Sequence, residues 1–222
     1  MLGVDLFPLG LSLRVALAAS AIAFALGVPL AWALARRKGP GKDVVGVLLL
    51  LPMVLPPTVM GYALLVLVGR RSPVGQAIEA LFGEGLVFTP YAAVLASLVA
   101  AFPFLVRAAQ AGFEEVDPEL EDVARTFGYS ELQIFFAVSV PLAARGILAG
   151  ATLCFARAMG EFGATLMIAG NIPGRTQTAS LAIYDAVQAG RLTQATGLAL
   201  LLAGITAVAL LIFGRIGGRV GG

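Results

Sequence analysis

Residues Val15–Ala35 read VALAASAIAFALGVPLAWALA, and Arg36, Arg37 and Lys38 follow at once. No ionisable side chain interrupts the run. A helix needs roughly 20 apolar residues to cross a bilayer, because the hydrocarbon core is about 30 Å thick and each residue rises about 1.5 Å. A secretory leader places its basic residues before a short apolar region and ends in a small-residue cleavage site. Here the basic cluster follows a longer run, which predicts a retained anchor.

Working outward, four more runs of spanning length follow, at residues 44–68, 87–106, 147–170 and 192–213. Residues 1–13 are too short to add another. Hydrophobic residues make up 59% of the chain and charged residues 13%. The mean hydropathy is +0.94. Soluble domains are roughly 45–50% apolar and about 25% charged, and a chain this size could not hide the surplus in a soluble core. The expected fold is an all-α integral membrane protein, one domain over residues 1–222, with a bundle of about five transmembrane helices in a lipid bilayer.

Composition also excludes functions. The chain lacks histidine, the usual general base and metal ligand near neutral pH, so neither a catalytic residue nor a metal site is expected. Cys154 sits inside an apolar run and reads as an inert buried thiol. No basic stripe with interleaved aromatics marks nucleic-acid binding. Gly41-Lys42 is followed by Asp43 and lacks the upstream glycine of a phosphate-binding loop.

Loop charge sets orientation. One side carries Arg36, Arg37, Lys38, Lys42, Arg107, Arg125, Arg145, Arg215 and Arg219. The other carries Arg14, Arg70, Arg71, Arg175 and Arg191, a bias of nine against five. The N-terminus is therefore expected outside and the C-terminus in the cytoplasm.

Breakers lie within the spans. Leu51-Pro52-Met53-Val54-Leu55-Pro56-Pro57-Thr58 loses two consecutive donors at Pro56 and Pro57, and Pro103 lies in the third run. Carbonyls freed in this way need protein or water partners, so such sites face a bundle or a cavity. Thr58 beside the break either lines a path or bonds its own backbone. Glu161 is an acid deep in an apolar run, with Arg157 one turn earlier. It reads as a buried ion pair or as part of a gate. Gly160 and Gly163 suit close helix approach. Arg175, Thr176, Gln177 and Thr178 offer donors on the outer face, and Leu181–Ala189 forms a short outer helix.

The segment 114–141 is different. Its acids, Glu114 to Asp122, cannot cross lipid cheaply. Asp117 suits an N-cap and Pro118 the first helical position. Leu120, Val123, Ala124 and Phe127 then form one apolar stripe, and Gly128 suits a left-handed helix end. Ser130-Glu131-Leu132-Gln133 is a capping box opening a second helix. Helices lying on membranes are usually basic. An acidic rim of Glu119, Glu121 and Asp122 around an apolar stripe fits a protein partner better.

This segment carries a family resemblance. Asp122-Val123-Ala124-Arg125-Thr126-Phe127-Gly128, followed by Val138-Ser139-Val140-Pro141, resembles the cytoplasmic coupling loop of ABC-type importer permeases. Asp122 stands where that motif has Glu, Val123 where it has Ala, and Val138 and Val140 where it has Ile and Leu. Leu55–Tyr62 and Arg157–Thr178 resemble the molybdate branch. Sulfate and thiosulfate permeases share its Gly-Glu-aromatic-Gly core, so they remain an alternative.

The resemblance implies a homodimeric permease of a bacterial or archaeal inner membrane that moves molybdate or tungstate inward by alternating access. It implies two ATPase subunits, which use ATP and Mg, and an extracytoplasmic oxyanion-binding protein. This chain itself would hold no cofactor. Leu120, Glu121, Asp122, Val123, Ala124, Phe127, Gly128 and Pro141 would couple to the ATPase. Pro56, Pro57, Thr58, Gly61, Gly160, Glu161 and Gly163 would line the path or gate, and Arg175, Thr176 and Thr178 the outer face. An ion-coupled secondary transporter is a poorer fit, because such folds show paired repeats.

Overall fold

The computed structural model describes residues 5–219, excluding the side chains of Phe213 and residues 216–219. The tail charge at Arg219 thus lies outside the described side chains. All regular structure among the described residues is helical.

Helix α1 (Phe7–Arg36) begins earlier than its apolar run, because Pro8 starts the helix at its first turn. Helices α2 (Pro40–Val54) and α3 (Pro57–Val68) follow, then a short α4 (Pro73–Phe82) and the long α5 (Pro90–Glu114). Helices α6 (Pro118–Thr126) and α7 (Glu131–Ile134) lead into a π turn, Phe135–Ser139, and α8 (Val140–Leu142). Last come α9 (Ala144–Met159), α10 (Gly163–Ala169), α11 (Ala179–Gln188) and α12 (Leu192–Arg219).

Three helices, α1, α5 and α12, are long and apolar enough to cross a membrane, and two bent pairs raise the number to five. The expected single span 44–68 is instead α2 and α3, bent by 114°. Pro56 and Pro57 leave the carbonyls of Pro52 and Met53 without their helical donors, so the chain turns there. The expected span 147–170 also breaks. Helix α9 stops at Met159, and α10 restarts at Gly163. On its other side, α9 meets the segment Glu131–Leu142 at a bend of 78°.

Helix α5, the third expected span, runs beyond residue 106 to Glu114. Its polar end is held to the start of α2. Arg107 donates to the Gly46 carbonyl at 3.0 Å, and Lys42 pairs with Glu114 at 3.2 Å.

Small residues build the core. Helix α5 packs between α1 and α9, and Ala16, Ala19, Ala23, Ala101 and Cys154 are fully buried there. A Cβ added to Gly112 would lie 2.9 Å from the Gly146 Cα, so the α5 and α9 backbones touch. In lipid, where apolar side chains gain little by leaving the solvent, such close packing is what holds helices together.

Candidate functional site

Two features stand out, one at the broken helices and one at the end of the bundle that carries α6.

The two helix breaks, about a hundred residues apart in sequence, meet in space. A Cβ on Gly61 of α3 would fall 2.7 Å from Met167 Cβ and 2.9 Å from Ala164 Cα of α10. A Cβ on Gly163 would fall 2.6 Å from Pro57 Cβ. Gly61 and Gly163 are therefore the close approach that lets α3 cross α10. Gly160, expected to do the same, would bring an added Cβ near only the Ala156 carbonyl of its own helix, at 3.9 Å, and simply ends α9. Glu161 sits in the break, 3% exposed. One carboxylate oxygen pairs with Arg157 at 2.6 Å, and the other accepts the Ala164 N–H at 2.9 Å. This is the buried-pair reading, with an added role: the carboxylate caps α10. Thr58 and the Pro56-Pro57 corner are exposed. Among the described residues the Thr58 hydroxyl has no hydrogen-bond partner, so it does not bond its own helix.

At the other site, the local predictions hold. Asp117 caps α6 by accepting from the Glu119 N–H at 2.9 Å. Gly128 has φ 85°, a conformation that L side chains adopt reluctantly. Ser130 and Gln133 form the capping box. Pro141 has no N–H to donate, and just before it the chain widens into the π turn, where Val140 bonds back to the Phe135 carbonyl. Leu120, Val123 and Phe127 are 49%, 53% and 78% exposed, and Ala124 is half-buried between them.

Glu121 departs from expectation. It is 1% exposed and does not belong to an acidic rim. Arg36 grips it with two bonds, Nε and Nη2 each donating at 2.8 Å. The Ser139 hydroxyl donates at 2.6 Å and Trp32 Nε1 at 3.5 Å. Arg36 Nη1 also donates to the Phe113 carbonyl at 2.9 Å. Burial pushes the Glu121 carboxyl up, but the bonds from Arg36 and Ser139 outweigh it and leave it below its ordinary value. Arg125 bridges the glycine hinge, reaching Glu131 at 2.7 Å and Asp122 at 2.6 Å. Arg36, Trp32, Ser139 and Arg125 were not singled out in the sequence as site residues. Arg36 counted only as a loop charge, and no spacing rule links it to a carboxylate 85 residues away.

The far end of α5, away from α6, holds the loops expected to face outward. Arg175 is exposed and lines a cleft of about 380 Å³ with Arg70, Glu84 and Thr89. Thr176, Gln177 and Thr178, expected as outer donors, are buried instead. The Thr176 hydroxyl accepts the Ile172 N–H at 3.1 Å and folds its own loop.

Comparison with known proteins agrees with this architecture. The family model described as the binding-protein-dependent transport system inner membrane component matches residues 23–220. The chain is 45% identical over 188 residues to the putative molybdenum transport system permease protein YvgM of Bacillus subtilis, covering 85% of this chain and 83% of the relative. It is 44% identical over 178 residues to the molybdenum transport system permease protein ModB of Escherichia coli, covering 80% and 78%. A chain of the MetNI methionine ABC transporter, solved facing inward, shares the fold with a TM-score of 0.74 at 17% identity, covering 96% of this chain and 94% of that one. A bacterial ABC importer of alginate has a TM-score of 0.69 at 14% identity, covering 96% and 79%. With residues 23–220 matched, this chain belongs to the family of binding-protein-dependent transport system inner membrane components.

Proposed function

We propose that the chain is the permease subunit of an ATP-driven importer of a tetrahedral oxyanion, with molybdate as the substrate and tungstate as its close analogue. The observation that carries the reading is the apolar stripe of α6, left open on a helix whose one buried acid is already satisfied. An ATPase subunit docks there. The chain supplies no catalytic group and no cofactor, while ATP and Mg are used by that partner. The assignment to molybdate rests on the relatives named molybdenum transport permeases.

Two copies face each other across the path, and the exposed Thr58, Pro56 and Pro57 line it. The crossing of α3 and α10, made close by Gly61 and Gly163, forms the gate, set by the Arg157–Glu161 pair. That carboxylate is neutralised by its arginine and does not itself hold the anion. The N-terminus and the Arg70–Gly85 loop face outward, towards an oxyanion-binding protein, and the C-terminus faces the cytoplasm. A reporter fused after Arg37 then reads as cytoplasmic, and one in the 70–85 loop as external. An inverted pattern would break the orientation.

Reconstitution in proteoliposomes with the ATPase and the binding protein tests the whole. ATP-dependent uptake of radiolabelled molybdate, competed by tungstate and not by sulfate, is expected. Competition by sulfate alone would favour a sulfate permease. Uptake driven by an ion gradient without the ATPase would overturn the reading.

A further inference from the structure

Helix α6 has little purchase of its own on the bundle. Its backbone packs mainly on α7 and the π turn, both of which are short. Its outward face is the open stripe. What fixes α6 to the spans is the inward-facing Glu121, whose carboxylate accepts from Arg36 at the end of α1 and from Ser139 in the π turn. The same guanidinium donates to the carbonyl of Phe113 in the last turn of α5 and to that of Val116 just beyond it. A planar fork bonded to both carboxylate oxygens fixes angle as well as distance. The pair is sheltered, with the Glu121 side chain 2% and the Arg36 side chain 20% exposed, so salt screens it less than a surface pair.

We infer that Arg36 and Glu121 are positioning residues that yoke the docking helix to the first span, so that α6, the end of α5 and the end of α1 move as one body. This rests on the importer reading, because the movement in question is driven by the docked ATPase. On this view docking and transmission are separate functions of one short helix. The stripe grips the partner, and Glu121 passes the displacement to the membrane. The Arg36 anchor lies on α1, outside the loop that touches the partner.

The experiment uses the complex of permease, ATPase and binding protein, with Glu121→Gln and the milder Arg36→Lys. The lysine keeps the charge and loses the fork, so it holds if the glutamine variant assembles poorly. Both variants should retain the ATPase on co-purification and keep basal hydrolysis. Substrate-stimulated hydrolysis and uptake should fall about tenfold or more, with Arg36→Lys affected less. A second measurement is independent of the substrate. Spin labels at Lys38→Cys and Glu119→Cys, in a Cys154→Ala background, report the spacing from α1 to α6. That distance should be the same without nucleotide and in the vanadate-trapped state, and should broaden in Glu121→Gln.

A wild-type distance that changes between the two states would overturn the yoke while leaving the importer intact. Full coupling in Glu121→Gln would do the same. Loss of the ATPase from Arg36→Lys would assign the pair to docking and also overturn it. If the wild-type chain retained no ATPase at all, the importer reading itself would fall, and the yoke with it.

Discussion

The α6 end and the loop of residues 171–178 depart from the ordinary inside–outside rule in opposite senses. On α6, Leu120, Val123 and Phe127 stand in the open. In the 171–178 loop, Thr176, Gln177 and Thr178 are tucked inside. Scattered exposed apolar residues are normal, but a stripe of them on one short helix marks a surface awaiting a partner. In that loop Thr176 bonds its own backbone, while the buried Thr178 hydroxyl and Asn171 Oδ1 have no hydrogen-bond partner among the described residues. The lesson is that polarity alone misassigns both ends. The acid-rich helix hides an acid, and the hydroxyl-rich loop hides its hydroxyls.

The sharpest way to break this contrast is to charge the stripe. Ala124→Asp should abolish co-purification of the ATPase, a loss of about a hundredfold or more in affinity, with permease thermal stability unchanged. Phe127→Ala should act in the same direction at about 2 kcal/mol. A stability loss without loss of the partner would show that α6 is core and not interface. The 171–178 loop should respond in the reverse manner. Thr176→Val leaves the Ile172 N–H unpaired and should cost about 1–3 kcal/mol of stability, read by thermal unfolding in detergent, while ATPase retention stays normal.

Next in size is the hinge. Gly128→Val forces a β-branched residue to a φ of 85° and should cost about 1–2 kcal/mol. The spans should still insert, and ATP-coupled uptake should fall. Normal uptake would mean that the left-handed corner is dispensable.

A smaller effect concerns pH. The Glu121 carboxyl is depressed in the folded chain from an ordinary value of about 4.3. Its stabilisation is therefore present above that value and is lost as the pH falls through the lower folded pKa. Trp32, the chain's single tryptophan, touches the same carboxylate. Its fluorescence should hold steady from about pH 8 to about pH 5 and change only in stronger acid. A transition near neutrality would contradict the buried pair. Smallest of all, Glu119→Gln at the exposed rim should alter ATPase retention by less than about 0.5 kcal/mol.

Much of this molecule is local, and local features are legible in a sequence. Three spans, α1, α5 and α12, follow from the length of apolar runs against the thickness of a bilayer, whereas the runs 44–68 and 147–170 are each broken. The caps at Asp117 and Ser130, the corner at Gly128 and the break at Pro56-Pro57 each follow from one residue's own backbone chemistry. The ion pair of Arg157 and Glu161 is legible in their four-residue spacing, although Glu161 lies just past the end of α9. What tertiary structure alone decided is which distant groups meet. Arg36 reaches Glu121, Gly61 packs against Ala164 and Met167 and Gly163 against Pro57, and the polar side chains of the 171–178 loop turn inward. Each of these depends on where helices sit relative to one another. Helix placement is set by the summed packing of small residues along α1, α5 and α9, and no short stretch of sequence encodes that sum.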